Sequence, residues 1–242
     1  MNEVRILIVG ESALCVEFGN QISSEINANI RGLNQEIRKY KIAGVVETVP
    51  TFRSLMVYYD CRIISYKRLI KKIKKRLKNR IYEQIEEKTI VEIPVCYDDP
   101  FSPDMQNVCE HTGLSREEVI AMHCGTDYLI YMLGFLPGFP YLGGMDERLN
   151  TPRHAIPRVR IEAGSVGIGG EQTGIYPLAS PGGWQLIGKT PVKPYDADRE
   201  KPLLYGAGQY IRFIRIDAEE YARIESLVSK NAYVCNHVKG GT

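Results

Sequence analysis

No apolar run in this 242-residue chain approaches the roughly 18 residues that a membrane helix needs. The opening stretch, MNEVRILIVGESALCVEFG, lacks a basic region followed by a long apolar region and a small-residue cleavage site. A cytoplasmic protein with no membrane partner is therefore expected. The six cysteines, Cys15, Cys61, Cys96, Cys109, Cys124 and Cys235, include no CxxC pair, which argues against a zinc knuckle and a thioredoxin-like motif. Reduced, packed thiols are the expectation. Repeats and low-complexity segments are also missing. Neither sign of charge dominates, with 31 Lys or Arg against 29 Asp or Glu for a net +2, but the charges are unevenly spread. Nine Lys or Arg and no acid fall between Ser65 and Arg80, leaving the rest of the chain at −7. No aromatics interleave this basic run to stack on bases, and Leu69, Ile70, Ile73, Leu77 and Ile81 recur at helical spacing. The run reads as a solvated helix face, with no nucleic-acid partner.

What is present is ample apolar content, 44%, for packed cores in one large or two modest domains. Residues 4–9 and 13–18 read as adjacent strands. A helix follows on the stripe Ile22, Ile26, Ile30, Leu33 and Ile37, then strands at 45–49 and 54–59, then the basic helix. That order describes an α+β fold beginning with a small two-layer domain, helices on one face of an antiparallel sheet, over residues 1–86. The charged segment Glu83–Lys88 reads as a linker to a second domain, residues 87–242. There, residues 89–97 alternate as a strand and Asp104–His111 and Ser115–His123 read as short helices. Ser115 with Glu118 forms a capping-box pattern. Residues 210–216, YIRFIRI, read as a closing strand. Asp217 caps a last helix with Tyr221, Ile224, Leu227 and Val228 on its apolar side, and the tail after Ser229 reads as loose.

Between Gly134 and Thr190 lie 12 of the 22 glycines and 6 of the 13 prolines. Such density is incompatible with helix and predicts turns and short strands, as at the corners of a β-barrel. Backbone geometry there holds the polar candidates Arg158, Arg160, Ser165, Glu171, Gln172, Thr173, Tyr176, Ser180 and Gln185. Gly183–Thr190 satisfies GxxxxGK[ST], but SPGG precedes it, prolines follow it and WQLI reads as a strand. The strand-to-helix context of a phosphate loop is missing. The cluster GSVGIGGEQTG, with Gly164, Ser165, Gly169, Gly170 and Thr173, could instead turn its amides toward an anion such as a cofactor phosphate. No acidic metal cluster is visible. Cys124 beside His123 is weighed as an activated nucleophile and set aside, because neighbours in a strand face opposite ways.

The runs GFLPGFPYLGG (134–144), TPR (151–153), AGSVGIGGEQTGIYP (163–177) and SPGGWQLIGKTP (180–191) resemble the KipI family, also called allophanate hydrolase subunit 1-like or the B subunit of 5-oxoprolinase (PxpB). The likeness extends to His123, to VVETVPTFRSLMVYYD and to YIRFIRI. It departs at Lys189, where arginine is common, and at Glu162, where proline is common. The resemblance implies a cyclophilin-like β-barrel in the second domain, the C-type and A-type subunits of 5-oxoprolinase as partners, the substrate 5-oxoproline, and ATP with Mg2+ at a site shared with the C-type subunit. It also implies two alternatives: an inhibitor of a sporulation histidine kinase, and a module of a urea-processing amidolyase. In the oxoprolinase reading, phosphate transfer to the lactam oxygen needs cationic and amide donors. Arg158 and Arg160 are candidates for that charge, Gln172 and Gln185 for orientation, and His123 for proton transfer.

Overall fold

The computed structural model describes residues 4–78 and 88–240. Ile81 and all of the expected linker except Lys88 lie outside the described residues. The chain divides into two compact units, Met1–Glu86 and Glu87–Thr242. Each has its own apolar core.

In the first unit the elements run β1 (Arg5–Val9), β2 (Ala13–Glu17), α1 (Ser24–Lys39), β3 (Val45–Pro50), β4 (Ser54–Tyr59) and α2 (Tyr66–Lys78). The sheet is antiparallel in the order β1-β2-β4-β3. Alternate residues Leu14 and Val16, and Leu55 and Val57, are buried on one face under Ile30, Leu33 and Ile37 of α1 and Leu69 and Ile73 of α2. Burying each such side chain contributes roughly 1.5–3 kcal/mol. Ile22 does not join the stripe: Ser23 Oγ accepts from Ile26 N at 3.1 Å and starts the helix after it, leaving Ile22 exposed. Lys67, Lys71, Lys72, Lys74 and Lys75 of α2 are exposed, on the outer side of its buried apolar stripe.

The second unit opens with β5 (Lys88–Cys96), α3 (Met105–Thr112) and α4 (Arg116–Cys124), the last with the expected capping box between Ser115 and Glu118. β6 (Tyr128–Leu133) follows, and the glycine-rich stretch then forms β7 (Pro140–Gly143), β8 (Arg158–Ile161), β9 (Ser165–Gly169), β10 (Gln172–Ile175), β11 (Ser180–Gly182) and β12 (Gln185–Lys189). β13 (Tyr210–Ile216), α5 (Ala218–Ser229) and β14 (His237–Gly240) finish the described chain. An eight-stranded mixed sheet runs β10-β9-β12-β5-β13-β6-β7, with β14 added to β5. Its ends, β10 and β7, approach each other, so the sheet is a nearly closed barrel.

Two expectations change here. YIRFIRI does not close the barrel: β13 lies inside the sheet, parallel to β5 from Tyr210↔Ile90 to Ile216↔Cys96. The tail after Ser229 is not loose throughout, because β14 pairs antiparallel with β5 and Cys235 is buried.

Candidate functional site

The β9–β10 hairpin turns through Gly170 and Glu171. Gly170 has φ +67, the left-handed conformation that a type II′ turn requires at its first central residue. Behind this hairpin sits His123, 0% exposed, stacked on Phe213 at a centroid distance of 4.4 Å. Its Nε2 lies 2.8 Å from Thr173 Oγ1 and its Nδ1 2.7 Å from Tyr97 Oη. The Thr173 hydroxyl donates to Gly167 O at 3.0 Å, so its oxygen accepts the Nε2 proton. Nδ1 then accepts from Tyr97, whose oxygen accepts from Cys124 Sγ at 3.4 Å. The result is a directed chain from Cys124 through Tyr97, His123 and Thr173 to Gly167, tying α4 to the hairpin. Burial drives the imidazole down to about 3, the Tyr97 phenol well up and the Cys124 thiol up, keeping all three neutral. His123 and Cys124 are helical, not strand neighbours, and both reach Tyr97.

A second polar cluster pins the 151–158 loop. Asp104 precedes α3, but its carboxylate does not cap that helix. Oδ2 accepts from Leu186 N at 2.6 Å, and Oδ1 accepts from Arg158 Nη2 at 2.6 Å. His154 Nε2 lies 3.3 Å from Oδ2 without hydrogen-bond alignment, and both it and Arg158 Nη1 are buried without a partner. Gln185 Nε2 donates to Pro152 O at 3.0 Å, and His154 N donates to Gly183 O at 2.7 Å. The loop is thereby held against the start of β12 and the residue Gly183 just before it.

Beside that loop is an aromatic cluster. Phe139 meets Trp184 at 5.6 Å and 71°, Tyr176 at 5.5 Å and 80°, and Tyr141 at 5.4 Å and 61°. Such edge-to-face contacts are the favourable geometry for rings. Gly169 is required here, because a Cβ would collide with the Trp184 indole. These rings, with Phe135, Arg153, Pro181, Gly182 and Gly183, line a cavity of about 150 Å³.

The structure thus separates the candidates. Arg158 and Gln185 come together near Asp104, whereas Arg160 is on the surface paired with Glu162 at 2.7 Å. Gln172 pairs with Gly169 at the hairpin end. His123 and Thr173 bond each other inside the barrel. Gly164, Ser165 and Gly170 spend their amides on Tyr176 O, Glu162 O and Thr151 O. Ser180 and Tyr176 are buried. Sequence reading did not single out Asp104 or Arg153. The partners of Asp104 are 54 and 82 residues away, so no local signal existed beyond its position before a helix.

A nucleotide cradle does not fit these residues. The GxxxxGK[ST] match lies largely on strand β12 and opens no helix, and Thr190 N donates to Gly164 O at 2.9 Å. Among the described residues no group of three His, Cys, Asp or Glu could hold a metal ion, and no helix is long and apolar enough to cross a membrane. The aromatic cavity is well below the ~300–1,000 Å³ of ordinary small-molecule pockets.

Residues 4–205 match the family model of the carboxyltransferase domain, subdomain C and D, which sets the class of this chain. The urea carboxylase of Kluyveromyces lactis shares its fold, with a TM-score of 0.79 at 21% identity over 98% of this chain; the chain spans 24% of that one. Over 88% of its length, the chain is 42% identical to the 5-oxoprolinase B subunit of Bacillus subtilis and 39% identical to that of Escherichia coli O157:H7, covering 93% and 97% of those proteins. The chain belongs to the family of 5-oxoprolinase B subunits.

Proposed function

We propose that this chain is the B subunit of a heteromeric, ATP-dependent 5-oxoprolinase. With the A-type and C-type subunits, in the cytoplasm, it converts 5-oxo-L-proline, ATP and water to L-glutamate, ADP and phosphate. The observation carrying this reading is the 42% identity to the B. subtilis protein over nearly the whole of both chains. The boundary at residues 86 and 87, and the kinship of the barrel to cyclophilin, belong to the same reading. Fold alone would not fix the activity, since one barrel serves many functions.

A lactam carbonyl is a poor electrophile, and transferring phosphate to its oxygen creates a leaving group for hydrolysis. Such a step depends on positioning and on cationic or amide donors. This chain supplies a rigid glycine-rich face bearing Arg153 and Arg158. ATP and Mg2+ are assigned to the assembly, where other subunits complete their site. His123, neutral and engaged at both ring nitrogens, holds the face in shape.

Complementation tests this. In B. subtilis lacking its own B subunit, expression of this chain is expected to restore growth on 5-oxo-L-proline as sole nitrogen source. Soluble expression without growth would count against the assignment.

A further inference from the structure

The aromatic cavity lies beside a small apolar core cluster in which Phe139, Tyr176 and Trp184 are buried, while Phe135 and Arg153 are exposed at its edge. Five rings, from Phe135, Phe139, Tyr141, Tyr176 and Trp184, surround about 150 Å³. Arg153 stands at its edge, exposed, its guanidinium carbon 5.8 Å from the centre of the Trp184 ring. Among the described residues Arg153 has no carboxylate partner, whereas nearby Arg158 and Arg160 are each ion-paired. Phe135 is a bulky residue at φ +67 with 66% exposure, a backbone conformation whose strain clusters at ligand sites.

We propose that this cavity binds a small ring carrying one carboxylate, the ring lying among the aromatic faces and the carboxylate on Arg153. Aromatic walls favour a flat, weakly polar body, and a free guanidinium forms bidentate hydrogen bonds with a carboxylate. The volume excludes a nucleotide. The ligand class rests on the cavity; naming 5-oxo-L-proline as its member rests on the oxoprolinase reading.

Trp184 is the chain's single tryptophan, so its fluorescence reports on the cavity alone. Titrating the full chain with 5-oxo-L-proline should give a saturable change. Arg153→Gln should raise Kd at least tenfold, Arg153→Lys less, and 2-pyrrolidinone, which lacks the carboxylate, should bind at least tenfold more weakly than 5-oxo-L-proline. Far-UV circular dichroism checks that the exposed-site variants fold. No saturable change, or equal Kd values across variants and ligands, overturns the proposal. Turnover with the A-type and C-type subunits separates the two readings. If the wild-type chain supports turnover and Arg153→Gln leaves KM unchanged, the subsite is wrong and the family function stands. If the wild-type chain supports none while the fluorescence titration behaves as stated, the function is wrong and the ring-carboxylate site stands.

Discussion

Asp104→Ala is expected to destabilise the second unit by about 3 kcal/mol, at the lower end for breaking a buried ion pair. The wild-type carboxylate, 4% exposed, is the shared acceptor for a strand amide and a guanidinium, each at 2.6 Å. Its removal leaves Leu186 N without that partner and the Arg158 charge without compensation. Arg158 is one-third exposed, so water recovers part of the loss. Asp104→Asn keeps an acceptor oxygen and should lose less. Urea unfolding of the full chain reads the effect, with the second unit's transition fitted separately because two units need not unfold together. In a double-mutant cycle, Asp104→Ala and Arg158→Ala should be less than additive. A loss below about 1 kcal/mol would mean that the loop is held by other contacts.

His123→Leu should cost about 2–4 kcal/mol, because it leaves two buried hydroxyls each short of one partner. The same residue sets an acid limit. Burial lowers the folded imidazole from its ordinary 6.5 to about 3. Between those values the unfolded chain binds a proton that the folded chain does not, so stability rises with pH there and is fully present above the unfolded value. The slope is about 1.4 kcal/mol per pH unit, or roughly 3 kcal/mol lost on going from neutrality to pH 4. His123→Leu should be less stable at pH 7 yet flatter over that window. Unfolding free energies for both proteins at pH 7, 6, 5 and 4 check this; parallel curves would contradict a buried neutral imidazole.

Much of the fold is legible locally, since α1, α2 and the β2 and β4 alternation follow from apolar spacing and α4 from its capping box. The parallel pairing of β13 with β5 is not, because strand alternation does not reveal direction or neighbours. β14 escapes a sequence reading for a related reason: four residues of mixed burial gain their order only from the edge they join. Glycine density marked the stretch of turns and short strands from β7 to β12, and burial then divided its polar residues. His123 drew a proton-transfer role from its residue type and from the family resemblance, while its partners Tyr97 and Thr173 lie 26 and 50 residues away and left no local signal of its burial. The aromatic cavity is likewise assembled from four separate segments, residues 135–141, 153, 176 and 181–184.

The most direct measurement is ADP formation dependent on 5-oxo-L-proline, with the purified chain alone, with the A-type and C-type subunits added, and with those two subunits alone. Negligible turnover from the chain and from the pair of partners, with turnover appearing only when all three are combined, is the predicted result. Turnover by the chain alone, or by the two partners at the full rate without it, would contradict a face that partner subunits complete.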